Sequence, residues 1–465
     1  MTGKTLSRRR LLRTGLAAGA GTLGLAAIAG CGEPEVVEVE VVKEVVKEVE
    51  KVVTVEVAAP KPAAVNLVFF DYVWVDIDKV RDLIVDNYKT LNPHVSIDYI
   101  KIPWGDYQVK ILTSIAGGSP GDVMYNHPQL TATFASKGAL KPLNEFINLD
   151  KEFDADDFND GLIEANTIDG KIYSLPTFSG PWMFVYNRDL IEPLGMGDPW
   201  ELFQAGEWTI DKYREMAAAS VTGEGQDKIF GTNEIPSAMK LIYLWAWGFG
   251  GSVWDNHDSP KAFVGNSPEA VAAWDYASDL LHDGIAPPRE FARNFPGGNQ
   301  AMLFSNKIAI YQSHRQFFTK ITDQINPGLV PMHKMPNGDD QSRDAPEGYG
   351  IFSGTEQEEE AWNLTRYIAN EGVKVHVSLG FSGPTRKSLW RSDLFKNSLK
   401  PWEDIEAYVA AFASLKRQFT QPAGYNEMNK LFTAAYDEIV LESKTAQQAM
   451  DDVKPDIDAI LAENQ

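Results

Sequence analysis

From Val65 onward the chain alternates short apolar runs with amphipathic stretches, and this alternation limits the fold more than any other feature. Val65 to Asp71 is an apolar run closed by an acid. Asp76 to Leu91 carries Val80, Leu83, Ile84 and Tyr88 at helical spacing and is stopped by Asn92-Pro93. Val95, Ile97 and Tyr99 alternate as a strand that Pro103-Trp104-Gly105 ends. Ile111, Leu112 and Ile115 mark a helix closed by Gly117-Gly118 before Pro120, and Asp122 to Tyr125 reads as a third strand. Strand followed by helix, repeated, builds a largely parallel sheet with helices on its faces, so the expected class is α/β. Ligands of such sheets collect beyond the carboxyl ends of the strands. Those ends carry Asp71-Tyr72, Trp104 and Asn126.

Further along, Asp169-Gly170 between two short β-prone runs signals a tight hairpin. Asn266-Ser267-Pro268-Glu269 opens a helix that closes near Gly284, and Glu356 to Asn370 reads as a surface helix with Trp362, Leu364 and Ile368 inward. Lys444 to Leu461 reads as a C-terminal helix that Pro455 should kink or divide. At 465 residues the chain is long enough for more than one core.

Charge and cysteine usage narrow the classes. Acidic residues number 65 against 43 basic ones, a formal charge of −22, which argues against nucleic acid as a partner. The single cysteine, Cys31, cannot close an internal disulfide. It follows a cationic Ser7-Arg8-Arg9-Arg10-Leu11-Leu12-Arg13, an Ala/Gly/Leu run from Thr14 to Ala29, and Ile28-Ala29-Gly30. This order resembles a bacterial lipoprotein signal with a twin-arginine-like start, so residues 1–30 are expected to be a leader and Cys31 the lipidated first residue. An ordinary signal peptide with a chance cysteine is the blander alternative. Losing residues 1–30 removes Lys4, Arg8, Arg9, Arg10 and Arg13 and no acid, leaving the exported chain more acidic still. Residues 31–64 are nearly all Val, Glu and Lys up to Ala58-Ala59-Pro60-Lys61-Pro62, and read as a stalk reaching ~100 Å when extended. A short valine-seamed coiled coil is the alternative.

Enzyme signatures are poor. Gly348-Tyr349-Gly350-Ile351-Phe352-Ser353-Gly354 misplaces the third glycine of a dinucleotide fingerprint. There is no phosphate loop and no Gly-x-Ser-x-Gly elbow. The seven histidines show no paired helical metal spacing, and the acidic stretch Asp154 to Gly161 puts Phe158 where a calcium ligand belongs. No catalytic residue, metal or cofactor is expected. A carboxylate pair for glycoside hydrolysis stays open.

A collinear set of motifs then appears. Ala116-Gly117-Gly118-Ser119-Pro120-Gly121-Asp122-Val123 is followed by Phe134-Ala135-Ser136-Lys137-Gly138-Ala139-Leu140-Lys141-Pro142-Leu143. Next come Asp169-Gly170-Lys171-Ile172-Tyr173-Ser174-Leu175-Pro176 and Val185-Tyr186-Asn187-Arg188-Asp189-Leu190. Phe304-Ser305-Asn306-Lys307-Ile308-Ala309-Ile310 and Gly380-Phe381-Ser382-Gly383-Pro384-Thr385-Arg386 complete it. From Val65 to Gln465 the chain resembles the extracellular solute-binding family of sugar-importing ABC transporters, the maltose-binding type. The resemblance implies a two-lobed periplasmic-binding-protein fold of type II, with hinged lobes joined by crossing segments. Lobe one would comprise residues 65–176 and 354–396, and lobe two 182–347 and 405–465. The crossings would lie at 177–181, 348–353 and 397–404. The implied partners are a carbohydrate, ABC permease subunits and, through the lipid, a membrane, with a monomeric chain and no nucleic acid. The chain departs from the family at Asn306-Lys307, and at Ser313-His314-Arg315, where a cation replaces the usual aromatic platform.

Sugars offer C–H faces and rings of hydroxyls, so their sites combine aromatic faces with planar polar groups. The candidate tryptophans are Trp74, Trp104, Trp182, Trp245 and Trp247, while Trp274 and Trp362 sit on helix faces and are expected in cores. With Asp71, Tyr72, Asn126, Arg315, Tyr349 and Arg386 as polar or phenolic partners, Trp104, Trp182, Trp245 and Trp247 form the expected ligand set. The expected role is a non-catalytic receptor delivering sugar to an importer. A secreted polysaccharide-acting enzyme and a ligand sensor are the competing readings.

Overall fold

The computed structural model describes residues 62–73, 77–118, 121–233, 239–257, 259–339, 342, 346–416 and 421–464, together with the paired stretches Val36–Val37 and Val55–Glu56. Cys31 and Trp74 lie outside them, as does nearly all of the expected leader and stalk. Residues 64–465 form one compact unit.

The strands of its two larger sheets, numbered along the chain, are β1 (Val65–Val73), β2 (Val95–Pro103), β3 (Val123–Asn126), β4 (Leu175–Pro176), β5 (Trp182–Asn187), β6 (Phe230–Thr232), β7 (Ile308–His314), β8 (Pro327–Pro331) and β9 (Gly348–Ile351). The first sheet runs β2-β1-β3-β9-β4, with β2, β1 and β3 parallel and β9 antiparallel to β3 and β4. The helices Asp78–Leu91 and Trp104–Ala116 supply the crossovers, as the strand–helix alternation requires. The second sheet runs β6-β7-β5-β8.

Strand periodicity explains how the second sheet is covered. Successive side chains of β5 point to opposite faces. Met183 and Val185 enter one core with Tyr311, Leu329 and Phe412, whereas Phe184 and Tyr186 enter another with Trp208, Trp245, Trp274 and Phe432. Both faces are therefore buried, which accounts for the unbroken apolar run. The first sheet has its own core of Leu67, Phe69, Tyr107, Val123, Tyr125, Ile351 and Trp362.

Several expected boundaries shift. Gly348–Ile351 is a strand of the first sheet, paired with β3 and β4, and not a crossing segment. Gly348 and Gly350 serve close packing there: a Cβ would stand 2.3 Å from the Leu175 carbonyl oxygen and 2.5 Å from that of Tyr173. The expected helix through Asn370 runs further. The α-helix Glu358–Tyr367 continues through a π-helical turn, Ile368–Gly372, into Val373–Ser378. Trp362, Ile368 and Ala369 belong to the first core, while Val373, Val377 and Phe395 pack with Met183 and Tyr311 of the second sheet. Beyond the π turn Val375 and Phe381 still pack against the first core, so this stretch contacts both cores. Pro455 does not divide the last helix, Ala446–Glu463, on which the proline is exposed.

Other readings hold. Thr167–Ile168 pairs with Lys171–Ile172 around Asp169 and Gly170, at φ 50° and 73°, the positive pair that a type I′ turn needs. Ser267 caps the helix Pro268–His282. Among the described residues, no helix is long and apolar enough to cross a membrane.

Candidate ligand site

The carboxyl ends of β1, β2 and β3 lie side by side and bring an aromatic wall together. Trp104 opens the helix after β2 and keeps 40% of its surface exposed. Its ring centroid lies 5.3 Å from Tyr72 at the end of β1, 6.3 Å from Tyr125 of β3 and 5.6 Å from His127 just beyond β3.

Beneath this wall is a buried charge network. Arg81, on the helix after β1, pairs with Asp71 at 2.9 Å and Glu347 at 3.0 Å, and donates to the Tyr72 carbonyl at 3.1 Å. Its guanidinium lies 4.4 Å from the Tyr72 ring centroid and 5.3 Å from that of Tyr125, both within cation–π range. Asp71 also accepts from the hydroxyls of Tyr99 (2.7 Å) and Tyr349 (3.0 Å), and from the Tyr72 amide (2.8 Å). Complete burial pushes its carboxyl above the usual aspartate range, although Arg81 and these donors pull the other way. Tyr72 donates to the Glu347 carboxylate at 3.2 Å, and burial raises its phenol. The Glu347 carbonyl in turn accepts from the amides of Thr177 and Phe178.

Asn126 is fully buried and donates to Thr131 (2.8 Å), Ser174 (2.9 Å) and Asn166 (3.3 Å). It ties down the end of β3 and so positions His127. Tyr349 is buried behind Asp71.

On the second sheet, Trp182 is half-buried at the start of β5, directly opposite His314 in register, with the rings 5.7 Å apart. Trp247, also half-buried, lies 4.7 Å from Tyr243 and 5.2 Å from His257. Its neighbour Trp245 points the other way, stacked on Tyr276 inside a core with 1% exposed.

The two arginines of the expected set are not at an accessible surface. Arg315 donates to the Ser382 carbonyl and to the carbonyl and hydroxyl of Ser398, each at 3.1 Å, sandwiched against Phe395 and Tyr408. Arg386 donates to the carbonyls of Asp154 and Ala369 and to Asp157 and Asn370, with its guanidinium 4.1 Å from the centre of the Phe158 ring. It thereby secures the π turn. Both guanidinium groups donate to backbone carbonyls and to side chains and lie against aromatic rings, a common way to bury arginine.

Sequence reasoning missed Arg81, Glu347, His127 and His314. The signal for Arg81 was present: it stands four residues after Ile77 and three before Ile84, hence on their face. Leu83, expected inward, is instead 45% exposed. Among the described residues, no group of three His, Cys, Asp or Glu side chains is arranged to hold a metal ion.

Comparison with known proteins gives a consistent result. The model of the bacterial extracellular solute-binding protein family matches residues 76–375. An uncharacterized lipoprotein of Streptomyces antibioticus is 25% identical over 391 residues, covering 81% of this chain and 83% of that one. The sugar-binding protein MalE of Xanthomonas citri superposes with a TM-score of 0.74 at 19% identity, covering 86% of this chain and 98% of that one. An ABC substrate-binding protein of Listeria monocytogenes, in complex with cycloalternan, gives 0.71 at 19% identity, covering 85% and 99%. These superpositions establish the two-lobed α/β fold.

Proposed function

Because the chain belongs to the bacterial extracellular solute-binding protein family, we propose that it is the sugar- or oligosaccharide-binding component of an ABC importer. Trp104 carries this reading: an indole two-fifths exposed, standing over Tyr72 and its charged network at the carboxyl ends of parallel strands. Such a face suits the C–H side of a pyranose. Trp182, at the start of β5, and Trp247, on the helix Met239–Gly248, are the further half-buried tryptophans of this reading. The similarity to a protein named sugar-binding and to one solved with cycloalternan supports the ligand class.

In this reading the chain crosses between lobes at 177–181, ahead of Gly348, and at the π turn Ile368–Gly372. Ligand contacts from both lobes then favour a closed state that the permease recognises. The protein releases its ligand unchanged and is not an enzyme. It is exported, and Cys31 anchors it to the membrane by a lipid, in keeping with its lipoprotein relative.

A thermal-shift and tryptophan-fluorescence screen across neutral sugars tests the proposal, with chromatography of the recovered ligand. Stabilisation by a sugar that is recovered intact is the expected result. Turnover, or indifference to every sugar, overturns it.

A further inference from the structure

The end of the second sheet holds a buried carboxamide that packing does not account for. Gln312, on β7, is 7% exposed. Among the described residues, the sole hydrogen-bond partner of its side chain is the Met332 sulfur, 3.3 Å from Nε2. A thioether is a weak acceptor, and the carboxamide oxygen accepts from none of those residues. Ile308 and Ile310, earlier on the same strand, are apolar and lie in cores. Methionine or leucine would fill the place of Gln312 without burying a polar group.

The register places this group. Gln312 stands opposite Phe184 and His314 opposite Trp182, so Gln312 and Trp182 are diagonal neighbours on one face of paired strands. The sheet order is β7-β5-β8, and Met332 directly follows β8, so a Gln312 side chain that meets Met332 lies across β5. The carboxamide therefore rests over the row of Trp182 and Phe184, with the core on the Phe184 side and half-buried Trp182 on the other. Its backbone is fixed. Asn233, just past β6, accepts from the Gln312 amide at 2.7 Å and donates to its carbonyl at 3.5 Å. The parallel strands β6 and β7 both end here, at the carboxyl edge where α/β sheets take ligands.

We propose that Gln312 is a ligand-contacting residue, whose carboxamide exchanges a pair of hydrogen bonds with adjacent hydroxyls of a neutral sugar ring packed on Trp182. The inference deepens the carbohydrate reading above and rests on it. An indole takes the C–H face of the ring, and a planar group with donor and acceptor side by side suits two neighbouring hydroxyls at its edge. The hydroxyls replace a weak sulfur contact with two full hydrogen bonds.

Gln312→Met and Gln312→Leu keep most of the volume and remove the hydrogen-bonding groups. Titration calorimetry with glucose, maltose, cellobiose and maltotriose, and melting temperatures without sugar, compare them with the wild type. Both variants should bind about tenfold more weakly, as loss of a hydrogen bond in a desolvated site does, while their melting temperatures hold or rise. Gln312→Glu, which still accepts from hydroxyls, should recover part of that affinity even though a buried carboxylate lowers its melting temperature. A packing residue does not separate binding from stability in this way. A wild type that binds one of these sugars, with Gln312→Met and Gln312→Leu equal to it, overturns the Gln312 contact alone. So does a weakened affinity that tracks a fall in melting temperature in both. A wild type that binds none of the four overturns the carbohydrate reading and the inference with it.

Discussion

The Arg81 guanidinium neutralises Asp71 and Glu347 and at the same time backs the rings of Tyr72 and Tyr125. Replacing it with methionine keeps much of the volume but strands two carboxylates in a buried setting. We expect Arg81→Met to cost about 3–5 kcal/mol, the range for breaking a buried ion pair, read as a lower urea midpoint. Trp104→Ala and Trp182→Ala should behave oppositely, weakening sugar binding with little change in melting temperature; normal binding with a much lower melting temperature would make them packing residues. The contrast also shows what the sequence could disclose at this scale. Trp104 stood out because it follows a strand-ending proline. Arg81 was missed because a cation on an amphipathic helix ordinarily points to water, and only its partners, 10 and 266 residues away, explain why it does not.

At the scale of elements, local chemistry was legible wherever it acts within a few residues. The Asp169-Gly170 turn and the Ser267 cap were readable because a positive φ or a capping oxygen leaves a signature in adjacent positions. Pro455 misled because its effect depends on surroundings. Pro455 is exposed on Ala446–Glu463, and the helix persists through it. The strain remains, and Pro455→Ala should raise stability by about 1–2 kcal/mol by restoring one helical bond, the gain reduced by the freer unfolded chain. A urea titration with unchanged slope would show it. The π turn at Ile368–Gly372 has no local signature. It arises where one helix must serve two cores and where Arg386 donates to the Ala369 carbonyl and the Asn370 side chain.

For the molecule as a whole, two buried histidines contribute to how stability responds to acid. His333 lies inside a cage of Phe184, Tyr213 and Trp245, and His376 packs against Phe178. Burial depresses each imidazole from 6.5 to about 3. Between those values the unfolded chain holds protons that the folded one rejects, so stability is lost as pH falls from about 6.5 toward 3. His333→Phe should flatten that decline. Urea midpoints at pH 8 and pH 5 check it, the variant losing less than the wild type on acidification. Equal losses would mean that His333 does not govern the response.

The path of the chain between its cores carries one more consequence, for the order of events in the cell. β3 cannot be flanked by β9 until Gly348 has been synthesised, more than 200 residues later, and the first core lacks Trp362 and Ala369 until later still. No N-terminal fragment that ends before Gly348 can therefore complete the first sheet. That sheet must await β9, and long-range pairing of that kind is slow. Pulse-labelled chains arrested before Gly348 should be digested by protease throughout, and those arrested beyond the last helix should yield one resistant core.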